Sequence, residues 1–175
     1  HNKETAKAGY YSVNLQDYNI DVELTVSKRA GFHKYTFNSD KEAQLILDLE
    51  HRDRLTSSNI ELVNINSIKG WRHSSNWAED QRLYFYIQLS EDISEVIYRE
   101  DSLVAGFKFG EIENPLLVKV GISAVSIKNA KENLETEISH WDFNKTLAVT
   151  TKQWEEELGK IQIETEDETK KEIFY

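Results

Sequence analysis

Alternating apolar and polar residues mark several short segments within the first 125 residues of this chain. In residues 20–26 every second residue is apolar, from Ile20 to Val26, and Asp, Glu and Thr lie between them. Successive side chains of a β-strand point to opposite faces, so this spacing predicts a strand with one buried face. Residues 83–89 and 118–122 repeat the alternation.

Further strand candidates lie at short intervals in the same part of the chain. They are residues 10–15, 32–37, 44–49, 60–68, 94–99 and 104–109. Short strands with few helix signals between them are typical of an antiparallel sandwich. The sequence therefore predicts a mainly β fold, an antiparallel β-sandwich over residues 1–125.

The apolar period changes near residue 126, where helices are predicted to replace strands. A first helix, capped by Ser126, has its apolar residues three or four positions apart: Ile127, Ala130, Leu134 and Ile138. A second helix should follow residues 141–143, with this stripe: Leu147, Thr151, Trp154, Leu158 and Ile161. A third is predicted from a capping box, Thr165 followed by Glu168. We expect residues 126–164 to be a helical linker and 165–175 to begin another helix.

Composition excludes several classes of function. The chain has 31 acidic and 21 basic residues and a formal net charge of -10, which disfavours nucleic-acid binding. It has no cysteine, so disulfides, thiolate catalysis and cysteine-ligated zinc are excluded. No apolar run is long enough to span a bilayer. Because methionine is absent and the chain starts at His1, we expect an N-terminus made by cleavage or cloning.

The richest candidate for ligand binding is the segment 70–81, which we expect to join two strands. Its candidate substrate-binding residues are Trp71, Arg72, Trp77, Asp80 and Gln81. Aromatic faces beside planar hydrogen-bonding groups suit a sugar ring, whose C–H face stacks while its hydroxyls are bridged. The alternative is a packed loop, in which the tryptophans close the end of the sandwich and Arg72 pairs with Asp80.

No catalytic or metal site can be assigned from the sequence. Glycosidic chemistry needs two carboxyl groups flanking a sugar, but acids are so abundant here that no pair stands out. His51 and Asp53 could suggest metal ligation, yet two ligands do not make a site. His33 alternates with Tyr35 and Phe37, which favours a half-buried strand histidine. We therefore nominate no catalytic residue, no metal ligand and no cofactor for this chain.

Five separated blocks of the chain carry a family resemblance. They are residues 4–13, 22–37, 70–85, 117–126 and 129–134. In this order they resemble the N-terminal domain of glycoside hydrolase family 92. The resemblance implies an incomplete sandwich of the galactose-mutarotase-like type, then linker helices and the first helix of an (α/α)6 barrel at residues 165–175.

The resemblance also implies an activity for the parent protein. Members are calcium-dependent, inverting exo-α-mannosidases that act on N-glycans and mannans, mainly in gut bacteria of the Bacteroides type. In this family the general acid, the general base and the calcium ligands belong to the barrel, so none of these roles is assigned to a residue of this chain. The chain is expected to shape one wall of the active site, to contact the barrel, and to be inactive alone. The parent is expected to be periplasmic, on the cell surface or secreted.

Two features depart from the family pattern. The family's sandwich has more chain before the position of His1, so strands are expected to be missing. The chain ends in apolar Ile173, Phe174 and Tyr175, as if a further domain began there. Exposure of such an end also predicts association of two copies. The alternative to an enzyme domain is a free-standing module, either carbohydrate-binding or protein-interacting.

Overall fold

The computed structural model describes residues 3–38, 42–100 and 103–174, so His1 and Tyr175 lie outside the described residues. Within these ranges the chain forms eleven strands and then three helices. The strands are β1 Glu4–Lys7, β2 Tyr10–Leu15, β3 Ile20–Val26, β4 Ala30–Phe37, β5 Gln44–Asp48, β6 Arg54–Asn64, β7 Ser67–Ser75, β8 Gln81–Leu89, β9 Ile93–Tyr98, β10 Val104–Phe109 and β11 Leu116–Ser123. The helices are α1 Ile127–Glu137, α2 Phe143–Leu158 and α3 Glu168–Phe174.

The strands form two antiparallel sheets. The large sheet has eight strands in the order β1-β2-β3-β4-β11-β8-β7-β6, and the small sheet has three in the order β5-β10-β9. The last strand in the chain, β11, therefore lies between β4 and β8 near the middle of the large sheet. This arrangement confirms the predicted β-sandwich followed by helices.

The small sheet covers one face of the large sheet and encloses the main core. Alternate residues of β8, Phe85, Ile87 and Leu89, point into this core, as do Phe107 and Phe109 of β10. Tyr86 lies between them in sequence and points to the opposite face, where the helices pack. The alternation recognised in residues 83–89 is therefore real, but β8 is covered on both faces.

Helix α1 packs on the second face of the large sheet. Ser126 caps the helix, since its Oγ accepts a hydrogen bond from the Asn129 amide at 3.1 Å. Ala130, Leu134 and Ile138 are fully buried, which confirms the predicted stripe. A Cβ added at Gly121 of β11 would lie 2.2 Å from the Ala130 carbonyl oxygen. The missing side chain therefore permits this close approach of helix and sheet.

A buried lysine binds the C-terminal end of α1. Lys119 of β11 donates from Nζ to the Ile138 carbonyl oxygen at 3.2 Å, and Nζ lies 4.0 Å from the centroid of the Trp141 ring. Burial lowers the pKa of Lys119. A cation placed on the last carbonyls of a helix interacts favourably with the helix dipole.

The buried face of α2 differs from the prediction. Asp142 caps the helix by accepting from the Lys145 amide at 3.0 Å. The buried residues are Phe143, Thr146 and Thr150, with Leu147 half-buried beside them. Thr150 donates to the Val26 carbonyl. Further along, Trp154 lies against Gly9 but is 45% exposed, and Ile161, which follows the end of α2, is 64% exposed. The predicted stripe is therefore wrong beyond Leu147, because Thr150 is the last buried residue of the helix.

Two local predictions are wrong in detail. Residues 60–68 are not one strand, because a turn follows β6 and the Asn66 amide donates to Asn64 Oδ1 at 3.0 Å. At α3 the cap is Asp167, whose Oδ1 accepts from the Lys170 amide at 3.1 Å. Thr165 instead accepts from the Asp167 amide, in a turn before the helix. Ile173 is 80% exposed at the end of α3.

Glu137 ties the end of α1 to the turn between β3 and β4. Its Oε2 accepts from Ser27 Oγ at 2.7 Å and from the Arg29 amide at 2.8 Å, and its Oε1 accepts from Arg29 Nε at 2.7 Å. Burial alone would raise the pKa of Glu137, but these hydrogen bonds outweigh it and hold the pKa below its ordinary value. The ionised carboxylate therefore stabilises the folded state.

Glu137→Gln is expected to lower the free energy of unfolding by about 2 kcal/mol at neutral pH, since it weakens hydrogen bonds to a charged acceptor. Because the folded pKa is depressed, this contribution is present above the unfolded pKa of about 4.3 and is lost as pH falls through the folded pKa. Urea denaturation between neutral and acid pH measures the difference. Glu135→Gln, which alters an exposed pair with Lys131, is the control; an equal effect of the two would contradict this role.

Candidate functional site

The segment 70–81 is mostly strand rather than loop. Residues 70–75 complete β7 and Gln81 begins β8, so only residues 76–80 connect the two strands. Trp71 pairs with Tyr84, and Arg72 pairs with Leu83. The expectation that the whole segment joins two strands is therefore wrong, because the antiparallel pairing continues to Ser74 and Gln81.

The strand pleat separates the five predicted site residues. Gly70 lies opposite the core residue Phe85. Arg72 and Gln81 are separated from these two residues by an even number of positions along their strands, so they lie on the same side, which faces the small sheet. Trp71 lies on the other side, the face that carries α1. Trp77 and Asp80 belong to the connecting loop. The structure thus brings these residues to one end of the sandwich but does not gather them around one point.

Arg72 reaches backbone rather than a carboxylate. Its Nε donates to the Leu49 carbonyl at 2.7 Å, and its Nη2 donates to the carbonyls of His51 and Arg52. The expected pair between Arg72 and Asp80 is therefore wrong. One guanidinium therefore donates hydrogen bonds to three backbone carbonyls of the loop that follows β5. The planar, forked guanidinium of arginine is well suited to this role.

Asp80 pairs with the next basic residue along the chain. Arg82 Nε donates to Asp80 Oδ2 at 2.9 Å, and Arg82 Nη2 lies 2.8 Å from the same oxygen. The hydrogen bond from Arg82 lowers the pKa of Asp80, and the positive charge of Arg82 adds to the effect. This carboxylate is ionised at neutral pH and is not suited to donate a proton.

The loops after β5 and after β7 are joined to each other. Asn76 Nδ2 donates to Asp53 Oδ1 at 3.0 Å, and the Asn76 amide donates to the Ala78 carbonyl at 3.0 Å. Arg52 and Asp53 have φ of 60° and 45°, a left-handed backbone that is uncommon outside glycine. We call residues 49–53 and 76–80 together the tip. Trp77, on the tip, is 95% exposed, so it does not close the end of the sandwich.

Trp71 belongs to an aromatic row that the sequence analysis did not predict. Its ring centroid lies 6.4 Å from that of His73, which lies 5.4 Å from that of Tyr84 in an edge-to-face arrangement. Trp71 Nε1 donates to Ser57 Oγ at 3.2 Å. His73 Nε2 is buried without a hydrogen-bond partner in the described residues. Strand alternation from Trp71 to His73 was the signal that could have found this row.

The described residues do not fit a calcium site. In the part of the chain that the structure describes, no three His, Asp or Glu side chains cluster closely enough to hold a metal ion. Calcium takes six to eight oxygen ligands, whereas Asp53 and Asp80 of the tip already have protein partners. No step that uses calcium can be assigned to these residues.

Two open cavities lie away from the tip. One, of about 440 Å³, runs along β2 and is lined by Tyr11, Asn14 and Tyr18 among others. The other, of about 460 Å³, lies between α2 and the β3–β4 turn and is lined by Val26 and Trp154 among others. Neither contains a residue of the predicted binding segment.

Family models match nearly the whole chain. The glycosyl hydrolase family 92 N-terminal domain matches residues 1–123, and the glycosyl hydrolase family 92 catalytic domain matches residues 129–175. A comparison with curated proteins finds no match.

The solved structures that are similar to this chain include members of the same glycosyl hydrolase family. The family GH92 alpha-mannosidase BT3965 from Bacteroides thetaiotaomicron is 26% identical, with a TM-score of 0.86 over 95% of this chain and 26% of that chain. It has also been solved in complex with mannoimidazole. The family GH92 inverting mannosidase BT2199 from the same organism is 20% identical, with a TM-score of 0.81 over 94% of this chain and 24% of that chain, and shows the shared fold.

The chain spans about a quarter of the length of these structures. The match of 123 residues to one family model covers more than half of the chain. The chain therefore belongs to glycosyl hydrolase family 92.

Proposed function

We propose that this chain is the non-catalytic N-terminal domain, with its linker helices, of an exo-acting α-mannosidase. The observation that carries the proposal is the family match over residues 1–123. The fold of BT3965, a mannosidase solved with mannoimidazole, supports the same assignment. In the complete protein this domain shapes one wall of the active site and contacts the catalytic barrel.

The proposal includes a calcium-dependent, inverting reaction on mannose-containing N-glycans or mannans. The described residues supply no metal cluster, so the proposal places calcium, the general acid and the general base outside residues 3–174. It also places the complete protein outside the cytoplasm, in the periplasm, on the cell surface or secreted. No helix of the described residues is long and apolar enough to cross a membrane.

A second candidate is a carbohydrate-binding module that works without an attached enzyme. One observation favours it, the exposed indole of Trp77 on a loop tip. An aromatic platform of this kind can bind sugar whether or not a catalytic domain is attached. The first candidate is preferred because the catalytic-domain model also matches residues 129–175.

The test compares the 175-residue chain with the complete gene product on 4-nitrophenyl α-mannoside. We expect no turnover by the chain and turnover by the complete product that a chelator abolishes and added calcium restores. Proton NMR of a disaccharide reaction should show β-mannose as the first product, as inversion requires. Turnover by the chain that is lost on mutation of one of its own acids would contradict the proposal. So would a complete product that hydrolyses other glycosides but no mannoside.

A further inference from the structure

The tip carries a large apolar side chain in full contact with water. Trp77 is 95% exposed, whereas the other tryptophan of its hairpin, Trp71, is half-buried. Burial of a large apolar side chain stabilises a folded protein. An exposed Trp77 does not provide this stabilisation, so folding of the described residues does not explain why position 77 is a tryptophan.

The loop that holds Trp77 is nonetheless held firmly. Arg72 binds three carbonyls of residues 49–52, and Asn76 links Asp53 to the turn that contains Trp77. On the far side of the loop Asp80 is fixed by Arg82. An indole presented on a loop that is already ordered loses little conformational entropy when a ligand binds.

Two carboxylates of the tip are neutralised by arginines outside it. Asp80 is paired with Arg82, and Glu50 is paired with Arg99 at 2.7 Å. Asn76 and Glu79 lie within two residues of Trp77 in the chain, and both are exposed, so polar groups accompany the exposed indole. A pyranose has an apolar C–H face and several hydroxyls, so it matches this combination better than a charged chain or an aliphatic one does.

We propose that the tip binds a neutral pyranoside of a mannose-containing glycan, with Trp77 as the stacking platform. Arg72 is a positioning residue, which orders residues 49–52 and, through Asp53 and Asn76, the loop that carries the indole. The identity of the sugar rests on the proposed function above. The binding itself requires nothing beyond the 175-residue chain.

The test is a titration of the 175-residue chain with a soluble α-mannan, and with dextran as the control polysaccharide. Binding is followed by calorimetry and by the indole N–H signals in NMR, with the Trp77 signal assigned from Trp77→Phe. Trp77→Ala should weaken α-mannan binding at least about tenfold, as removal of a central aromatic anchor does. Trp77→Phe should retain part of the affinity. Trp154→Ala, which removes a half-exposed tryptophan of α2, should leave the affinity unchanged.

Arg72→Lys tests the positioning role, because lysine keeps the charge but cannot bind three carbonyls with a planar fork. It should weaken binding and lower the heteronuclear NOE of the Trp77 indole, while unfolding of the core remains cooperative. An affinity lowered without a change in that NOE would contradict a role through Trp77.

The inference would be overturned by no binding of α-mannan, by equal binding of dextran, or by unchanged affinity in Trp77→Ala. A complete gene product in which acrylamide no longer quenches Trp77 would assign the tip to a contact between domains, and would also overturn it. These results are independent of the activity assay. If the chain binds no α-mannan but the complete gene product hydrolyses mannosides, this inference is wrong and the proposed function stands. If the chain binds α-mannan but the complete gene product has no mannosidase activity, the proposed function is wrong and this inference stands.

Discussion

Gly121→Ala is expected to lower the free energy of unfolding by about 3 kcal/mol, because one added methyl group would force α1 away from the large sheet. The new Cβ would lie 2.2 Å from the Ala130 carbonyl oxygen and 2.7 Å from Leu134 Cβ. Both atoms belong to the buried face of a helix that also packs on β4, β7 and β8, so neither can move freely. Urea denaturation followed by tryptophan fluorescence and by far-UV circular dichroism measures the loss.

Gly110→Ala is the matched control for this experiment. A Cβ added at Gly110 meets nothing within 4 Å, so its effect should be within about 0.5 kcal/mol of zero. Equal stabilities of the two variants would show that α1 does not lie directly on β11. The comparison isolates the close contact from the general cost of replacing a glycine.

Phe107→Ala is expected to cost about 4 kcal/mol, since it removes a fully buried aromatic ring from the centre of the sandwich. Phe107 lies on β10, the middle strand of the small sheet, and is part of the core that joins the two sheets. The cavity left behind cannot fill without moving one sheet toward the other. The midpoint of urea unfolding should fall, and the two sheets should still unfold in one transition.

Ile46→Ala provides the comparison within the same small sheet. Ile46 is on β5, pairs with Gly106 next to Phe107, and is 70% exposed on the outer face. Its truncation should change stability by less than about 0.5 kcal/mol. A large effect at Ile46 and a small one at Phe107 would mean that the small sheet packs with its other face toward the core.

The sequence predicted those parts of the fold that depend on local periodicity. Residues 20–26 are β3 and residues 10–15 are β2, and the stripe from Ala130 to Ile138 is buried as expected. Strand order was not accessible, because nothing local to residues 116–123 indicates that they lie between β4 and β8. The turn at residues 65–66 was missed since apolar residues continue through Leu62, Val63 and Ile65.

The binding segment was recognised from composition, but its geometry required the structure. Trp71 and Arg72 are neighbours in sequence, yet the pleat sends them to opposite faces. The carbonyls that bind Arg72 come from residues about 20 positions earlier, and no pattern in the segment itself points to them. The exposure of Trp77 likewise depends on how far β7 and β8 stay paired. The five site residues remain a prediction about sugar binding.

The central position of β11 has a consequence for how the chain acquires its structure during synthesis. Strands β1 to β4 and strands β6 to β8 are both complete before residue 116 leaves the ribosome, but they share no hydrogen bonds until β11 enters between them. Until then β4 and β8 each present an open edge that can pair with another nascent chain. Such late, long-range pairing slows folding. Premature release before residue 116 should therefore yield two unjoined half-sheets prone to aggregation, whereas release after residue 123 should yield one continuous eight-stranded sheet.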